Sequence, residues 1–524
     1  MPPISSSPSS PAPQVHLEGV IRDPYDLAVA TARTCYSSKG IIRTSDVSKD
    51  DKAKALRDKI AETTRDAGHL TTRQHAHFVF AIENVSRQFI WSFLHSHPYY
   101  NSEQVSQRYV HVAKGHYTVP PMSEAVRKVY EGIVERQMAD YENLIGVLLK
   151  PIEKIYFEIF PVRKKYLDRY TPVLKKKAYE IARYVLPVAT HAYLYHTISA
   201  LTLMRYHCLM NFYDTPWEQK QVIEQMVNAV KAMDPEFHRE LSDPLPLEQT
   251  PEYQWLERSK NNAQVTEGFI REFDASLQGH YATLIDYSAH APQTLASALR
   301  SVLGLPASQL SDEAAIEAVL NPAQNAFLAD TLNLNTLSKL SRTLFHVHYT
   351  FRKKISHTAD SQDQRHRMTP ASRPLLEAHF SGRPDFITPK LIRENPEALE
   401  IYQRSMEATF AGINQLLDMG LSREFALYLL PNAFPIRFEE SGDLLNLHHK
   451  WKSRSCYTAQ EEIFYATLDE IKAVKAVHPQ LVKHILAPCY VRQKGGMKPI
   501  CPEADRFCGV KVWKQEIEHY ERLI

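Results

Sequence analysis

Val85-Ser86-Arg87, eighteen residues, then Ser106-Gln107; and again Leu340-Ser341-Arg342, eighteen residues, then Ser361-Gln362. The skeleton stands twice in one chain of 524 residues. A second echo accompanies it: Ala182…Leu186-Pro187 leads to Val230-Lys231-Ala232-Met233-Asp234-Pro235 as Ala426…Leu430-Pro431 leads to Val474-Lys475-Ala476-Val477-His478-Pro479. Repeats this far apart are too long for a solenoid and read as a duplicated domain, the covalent counterpart of a homodimer. The expected division is a disordered Ser/Pro-rich tail at 1–15, copy one at 16–245, copy two at 246–487 and a Cys-containing tail at 488–524. The expected class is α+β, helix-rich, with a modest sheet in each copy.

Composition bounds the function. With 44% hydrophobic residues the chain can bury sizeable cores, and a net charge of +2 argues against wholesale coating of nucleic acid. The first residues carry no basic and apolar secretory pattern, and no apolar run approaches the roughly 18 residues of a membrane helix. The expectation is a cytoplasmic protein with no membrane partner. Six cysteines in a chain this large make no disulfide framework, in keeping with a reducing compartment.

His77 to Ile82 alternates and reads as a strand, followed by an amphipathic helix from Ser86. Helices are expected over 123–160, 174–212 and 217–234, with a break at Pro187. His75 and His77 fall on one face of the extended segment. Without a third ligand at metal spacing they suit stacking or hydrogen bonding better than metal, ordinary half-buried polar positions being the alternative.

The run Gly68-His69…His75, Ile82-Glu83-Asn84-Val85-Ser86-Arg87, and then Ser106-Gln107-Arg108-Tyr109 resembles the flavin-dependent thymidylate synthase family in identity and spacing. Ala182-Arg183…Leu186-Pro187 and, in copy two, Arg454…Ala459-Gln460-Glu461-Glu462-Ile463 extend the likeness. The resemblance implies two tandem domains of this family forming a pseudo-dimer. It further implies FAD as cofactor, dUMP or another uracil nucleotide as substrate, methylene-tetrahydrofolate as carbon donor, NADPH as reductant, and further dimerisation of the fused pair.

The family's Arg-His-Arg, seven residues before a serine, is replaced by Ser96-His97-Pro98 when counted back from Ser106. In copy two Arg365-His366-Arg367 looks like the motif, but its eighth following residue is Leu375. Aligned through Ser361, the motif position holds Phe351-Arg352-Lys353 and His75 corresponds to Asp330. The basic stretch from Arg352 through Arg373 reads as an anion-binding loop, with a solvated surface loop as the alternative. Arg454, where the family sets an arginine against the pyrimidine, has Met210 as its copy-one counterpart.

Each copy has thus lost something the other keeps, and the family's placement of the site between subunits implies one composite site. Arg454 is the expected catalytic residue. His75, His77, His97 and His449 are expected at the cofactor, and Gln104, Ser106, Arg108, Arg352, Arg365 and Arg367 at the substrate. No resident metal is assigned. Cys489, Cys501 and Cys508 read as reduced thiols in a docked tail, a Cys₃His zinc site with His484 being the alternative. The activity implied is reductive methylation of dUMP. Alternatives are a flavin- or nucleotide-binding protein without that activity, or a flavin-folate enzyme acting on uracil in RNA.

Overall fold

A computed structural model describes residues 10–21, 23–95, 97–211, 214–259 and 262–524. Two four-stranded antiparallel sheets organise it, ordered β1-β2-β4-β3 and β5-β6-β8-β7. In chain order the strands are β1 (Gln14–Val20), β2 (His77–Ser86), β3 (Tyr100–Gln104), β4 (His191–Ser199), β5 (Ala282–Tyr287), β6 (His348–Ser356), β7 (Ala371–Ser372) and β8 (Pro435–Asp443). β1 opens two residues inside the segment expected to be disordered, and residues 1–9 lie outside the described ones. The stretch expected to be helical from 174 to 212 contains β4, whose residues alternate between buried and more exposed. Its period of two is the mark of a strand with one face on a core.

Register fixes how the halves correspond. In β2, His77 faces Ser199 and Ser86 faces His191. In β6, His348 faces Asp443 and Ser356 faces Pro435. Ser199 and Asp443 both cap the helix that follows. Ser356 is therefore the counterpart of Ser86, and the Leu340/Ser361 echo is accidental. Leu340-Ser341-Arg342 lies at a 3₁₀ turn ahead of β6, while Ser361 sits inside the helix His357–Asp363. The strand β2 holds one extra residue at a bulge between Ile82 and Val85, where Asn84 has φ 56°. His75 thus corresponds to His346, not Asp330.

The short third strands complete the comparison: Ser102 faces His196, and Ala371 faces Glu440. Counting back from this pair sets Arg365-His366-Arg367 against positions 96–98, of which Ser96 lies outside the described residues. The motif set aside in the sequence is the true counterpart, and Phe351-Arg352-Lys353 belongs to β6.

Each sheet packs on its own helices, around Phe78, Phe80 and Met226 in unit one and around Tyr349, Phe351 and Trp451 in unit two. A larger core lies between the units. There the helix Glu124–Ile159, 36 residues long, meets the helix Pro396–Asp418. Tyr130, Leu144, Tyr402 and Phe410 are buried in this layer. Gly412 permits the approach, because a Cβ there would stand 2.5 Å from Ile133 Cδ1.

Backbone bonds cross between the units in matched pairs. Val188 N–H donates to the Leu430 carbonyl at 2.8 Å, and Asn432 N–H to that of Leu186 at 2.8 Å. Beside them, Glu218 accepts from Ser86 N–H and Oγ at 2.6 Å and from Tyr428 of the other unit at 2.8 Å. Glu462 accepts in the same way from Ser356 and from Tyr184. All of these groups are buried.

Candidate active site between the two units

The helix Arg87–His95 begins at the end of β2, so its first residue is carried to the seam between units. Arg87 is buried, and its Nη1 donates to Gln104 Oε1 at 2.9 Å. Arg183, at the end of the helix Leu167–Ala182, is buried and donates from Nε to the Glu180 carbonyl at 3.1 Å. Arg108, in the turn where Ser106 Oγ accepts from the Arg108 N–H at 3.3 Å, reaches Glu180 at 3.1 Å and the Thr458 carbonyl of unit two at 2.8 Å.

Unit two supplies the facing groups. Arg454, the last residue of the helix Leu444–Arg454, donates from Nε to His366 Nε2 at 2.9 Å and from Nη2 to the Gln362 carbonyl at 3.1 Å. The His366 ring lies edge-on to His449, their centroids 5.9 Å apart. Arg365 forms a two-pronged pair with Glu103 at 2.9 and 3.2 Å. Arg367 donates to the Pro98 carbonyl at 3.1 Å and to Asn101 Oδ1 at 2.9 Å.

Positive charge is under-compensated here. Burial first, then Arg183 and Arg365, pulls Arg87 down to about 9, and burial with Arg108 and Arg365 pulls Arg454 down to about 10 against the attraction of Asp363. Guanidinium groups hold their protons in proteins, so these shifts register the cost of crowding cations away from water. Burial, then Arg454 and Lys450, also holds His366 well below the usual histidine range. It is neutral, with Nε2 as acceptor. Against burial, Arg108, Arg522 and Arg183 hold Glu180 down to about 2.

Among the described residues, Arg87 Nε, Arg108 Nε, Arg183 Nη2, Gln107 Nε2, Gln362 Nε2 and His449 Nδ1 are buried without hydrogen-bond partners. Five of these six atoms are obligate donors, which suit a ligand rich in anionic or carbonyl oxygens. The phosphates and ring carbonyls of a flavin nucleotide and of a uracil nucleotide fit that demand. A neighbouring cavity of about 380 Å³ opens from Arg108 and Tyr109 toward Arg163, Lys177 and Phe507.

Among the described residues, the opposite seam lacks this crowding of arginines. His357 stands where Arg87 does, Leu427 where Arg183 does, and Met210 where Arg454 does. His357 meets Gln88 at 3.2 Å, and Asp360 accepts from Trp91 at 2.8 Å and from Arg373 at 2.8 Å. Unit two also replaces the ring cluster of Phe93, His196 and Tyr206 by Asp363, Glu440 and Lys450, which join Lys353 and Glu470 in a buried ion network.

Not every expected site residue reaches the seam. Arg108, Gln104, Arg365, His449 and Arg454 gather there, with Ser106 shaping the turn. His75, just ahead of β2, and His77, at its start, are exposed, and His77 is ten residues and so about 30 Å from Arg87. Both His97 nitrogens are engaged, by Tyr206 at 2.7 Å and the Tyr99 N–H at 2.9 Å, which makes it a packing group. Arg352 pairs with Glu439 on its own sheet at 2.7 Å and covers Phe273. The basic stretch is thus no free loop: Lys353, Lys354 and Arg373 are also in ion pairs. Arg87, Arg183, His366 and Gln362 are absent from the expected site residues, although all four stand within the quoted motifs.

The tail folds back on the seam, with Arg522 donating to Glu180 at 3.1 Å. His484 pairs with Glu317 at 3.2 Å and not with the tail cysteines. A different thiol joins them: Cys456, Cys489, Cys501 and Cys508 line one small cavity.

The sequence profile described as thymidylate synthase complementing protein matches residues 17–236 and 283–480. The chain belongs to this family. A flavin-dependent thymidylate synthase of Clostridium tetani is 27% identical over 223 residues, 41% of this chain and 82% of that protein. That of Sulfurisphaera tokodaii is 30% identical over 155 residues, 29% and 59% of the two. A solved UMP/dUMP methylase PolB from Streptomyces cacaoi, bound with 5-Br dUMP, is 19% identical, covers 44% of this chain and 94% of its own, and superposes with a TM-score of 0.27. The two matched segments of the thymidylate synthase complementing family carry one sheet each, and membership makes the chain an enzyme. No helix among the described residues is long and apolar enough to cross a membrane.

Proposed function

We propose that this chain is a fused pseudo-dimer that methylates the uracil ring of dUMP in one composite site. Methylene-tetrahydrofolate serves as carbon donor, FAD as the flavin and NADPH as its reductant. The observation that carries the reading is the one-sided gathering of Arg87, Arg108, Arg183, Arg365 and Arg454, with partnerless buried donors among them. The units are assigned to residues 16–245 and 246–487, with a tail at 488–524, and the enzyme to the cytoplasm.

FAD, when bound, supplies the hydride. Arg87, Arg183 and Gln362 would hold it, and Arg108 and Arg365 the nucleotide phosphate. Arg454 is oriented by neutral His366 and the Gln362 carbonyl, so its charge is fixed before substrate arrives. A cation held this way opposes negative charge developing on the pyrimidine oxygen without reorganising at the moment of reaction. Burial of Arg87 and Arg183 keeps water from screening that part of the cluster. Further dimerisation of the fused pair is part of the proposal, with His75 and His77 reaching this site from a second copy of the chain.

Conversion of dUMP to dTMP by the purified, flavin-loaded chain with methylene-tetrahydrofolate and NADPH tests the proposal. Product dTMP supports it. Flavin-loaded protein without product rejects it in favour of a binding protein of the same fold. The RNA alternative loses its ground, because the basic stretch that motivated it is largely neutralised by ion pairs.

A further inference from the structure

We propose that Cys456, Cys489, Cys501 and Cys508 form a tetrathiolate zinc site that locks the C-terminal tail onto the seam. The four come from separate parts of unit two and the tail, yet all line one cavity of about 20 Å³. That is room for a single small guest. None is in a disulfide. Four sulfurs select zinc among the common divalent ions, the Glu503 carboxylate that also lines the cavity being paired with Arg506 at 3.4 Å, and a set of four closes a structural rather than a catalytic site.

Among the described residues no group of three or more His, Cys, Asp or Glu side chains is spaced to hold a metal ion as it stands. Binding therefore draws the sulfurs inward, metal affinity being coupled to local ordering and to loss of the thiol protons.

The placement gives the metal a positioning role. Cys456 lies two residues beyond Arg454, and Thr458, two further on, accepts from Arg108 at 2.8 Å. Tyr457 Oη donates to Gln515 at 2.9 Å and accepts from the Glu521 N–H at 2.9 Å. A metal at the four thiols fixes the same turn that both seam arginines lean on. This inference stands independently of the proposed reaction.

The test is metal analysis of the full-length chain, produced in zinc-supplemented medium and kept reduced. Cobalt(II) reconstitution after chelation and limited proteolysis accompany it. One zinc per chain, a thiolate-to-cobalt charge-transfer band, and cleavage within 488–524 that appears on chelation are expected. Cys501→Ser should lose the metal while Cys35→Ser, at an exposed cysteine, retains it. Folded wild-type protein that takes up neither zinc nor cobalt overturns the proposal. So does iron as the resident metal, a disulfide among the four, or unchanged zinc in Cys501→Ser. If that variant fails to fold, the wild-type metal content and cobalt spectrum decide alone.

Discussion

Arg454 Nε donates to His366 Nε2 across 2.9 Å, a bond that fixes the direction of the guanidinium on a ring that burial first, and then the neighbouring cations, keep neutral. Its counterpart in the other half would join Met210 to His97, which binds Tyr206 instead. One seam therefore gathers guanidinium groups, and the other is packed with rings.

Arg454→Ala should lower kcat/KM for dUMP roughly 10- to 100-fold, the effect of losing a charged hydrogen bond of about 1.5–3 kcal/mol. Met210→Ala should leave kcat/KM within about twofold. Steady-state kinetics on the two variants make the comparison, and equal losses would contradict a single site.

Crowded guanidinium groups should be relieved by polyanions. Pyrophosphate or dUMP is expected to raise the melting temperature, with about 2.7 kcal/mol of stabilisation at a hundred times Kd. Arg87→Gln should shrink the shift, and differential scanning fluorimetry reads both.

Burial pushes the Glu218 carboxyl up to about 7, although Ser86 and Tyr428 pull the other way. Its folded value exceeds the unfolded 4.5, so its contribution is fully present below pH 4.5 and is lost as pH rises through 7. Urea unfolding should show stability falling across this window by up to about 3 kcal/mol from this residue. Glu218→Gln should flatten that part of the profile.

Gly412→Ala places a Cβ against Ile133 and should cost about 1–3 kcal/mol. Adding Ile133→Ala should recover part of the loss, because the clash partner is a side chain. A double-mutant cycle by chemical denaturation measures the coupling.

Some of this was legible beforehand. Alternation over His77–Ile82 exposed β2, and the echo of Leu186-Pro187 in Leu430-Pro431 holds as a true correspondence, the two prolines bridging each other where the units meet. β4 stayed hidden because its strand of Tyr, Leu and Ile runs directly into the helix Ala200–Cys208, and the combined apolar stretch imitates one helix. Register was the harder matter. One bulge residue near Asn84 and a connection to the third strand one residue shorter in unit two shift the correspondence, while the three-letter identity at Leu340 happened to fit a different spacing. Hydrogen bonds between strands settle what letter matching cannot. Likewise, Arg365 gains meaning from Glu103 and Arg87 across the seam, and Cys456 from a tail that folds back to meet it.

The carboxyl of Glu218 waits for a hydroxyl 210 residues further along the chain, on Tyr428. At about 5–20 residues per second, a ribosome needs roughly 10 to 40 s to make that stretch. During that interval the first half is exposed with its seam open and its long helix uncovered. The emerging chain thus depends on holding apart from its neighbours until its own second half arrives.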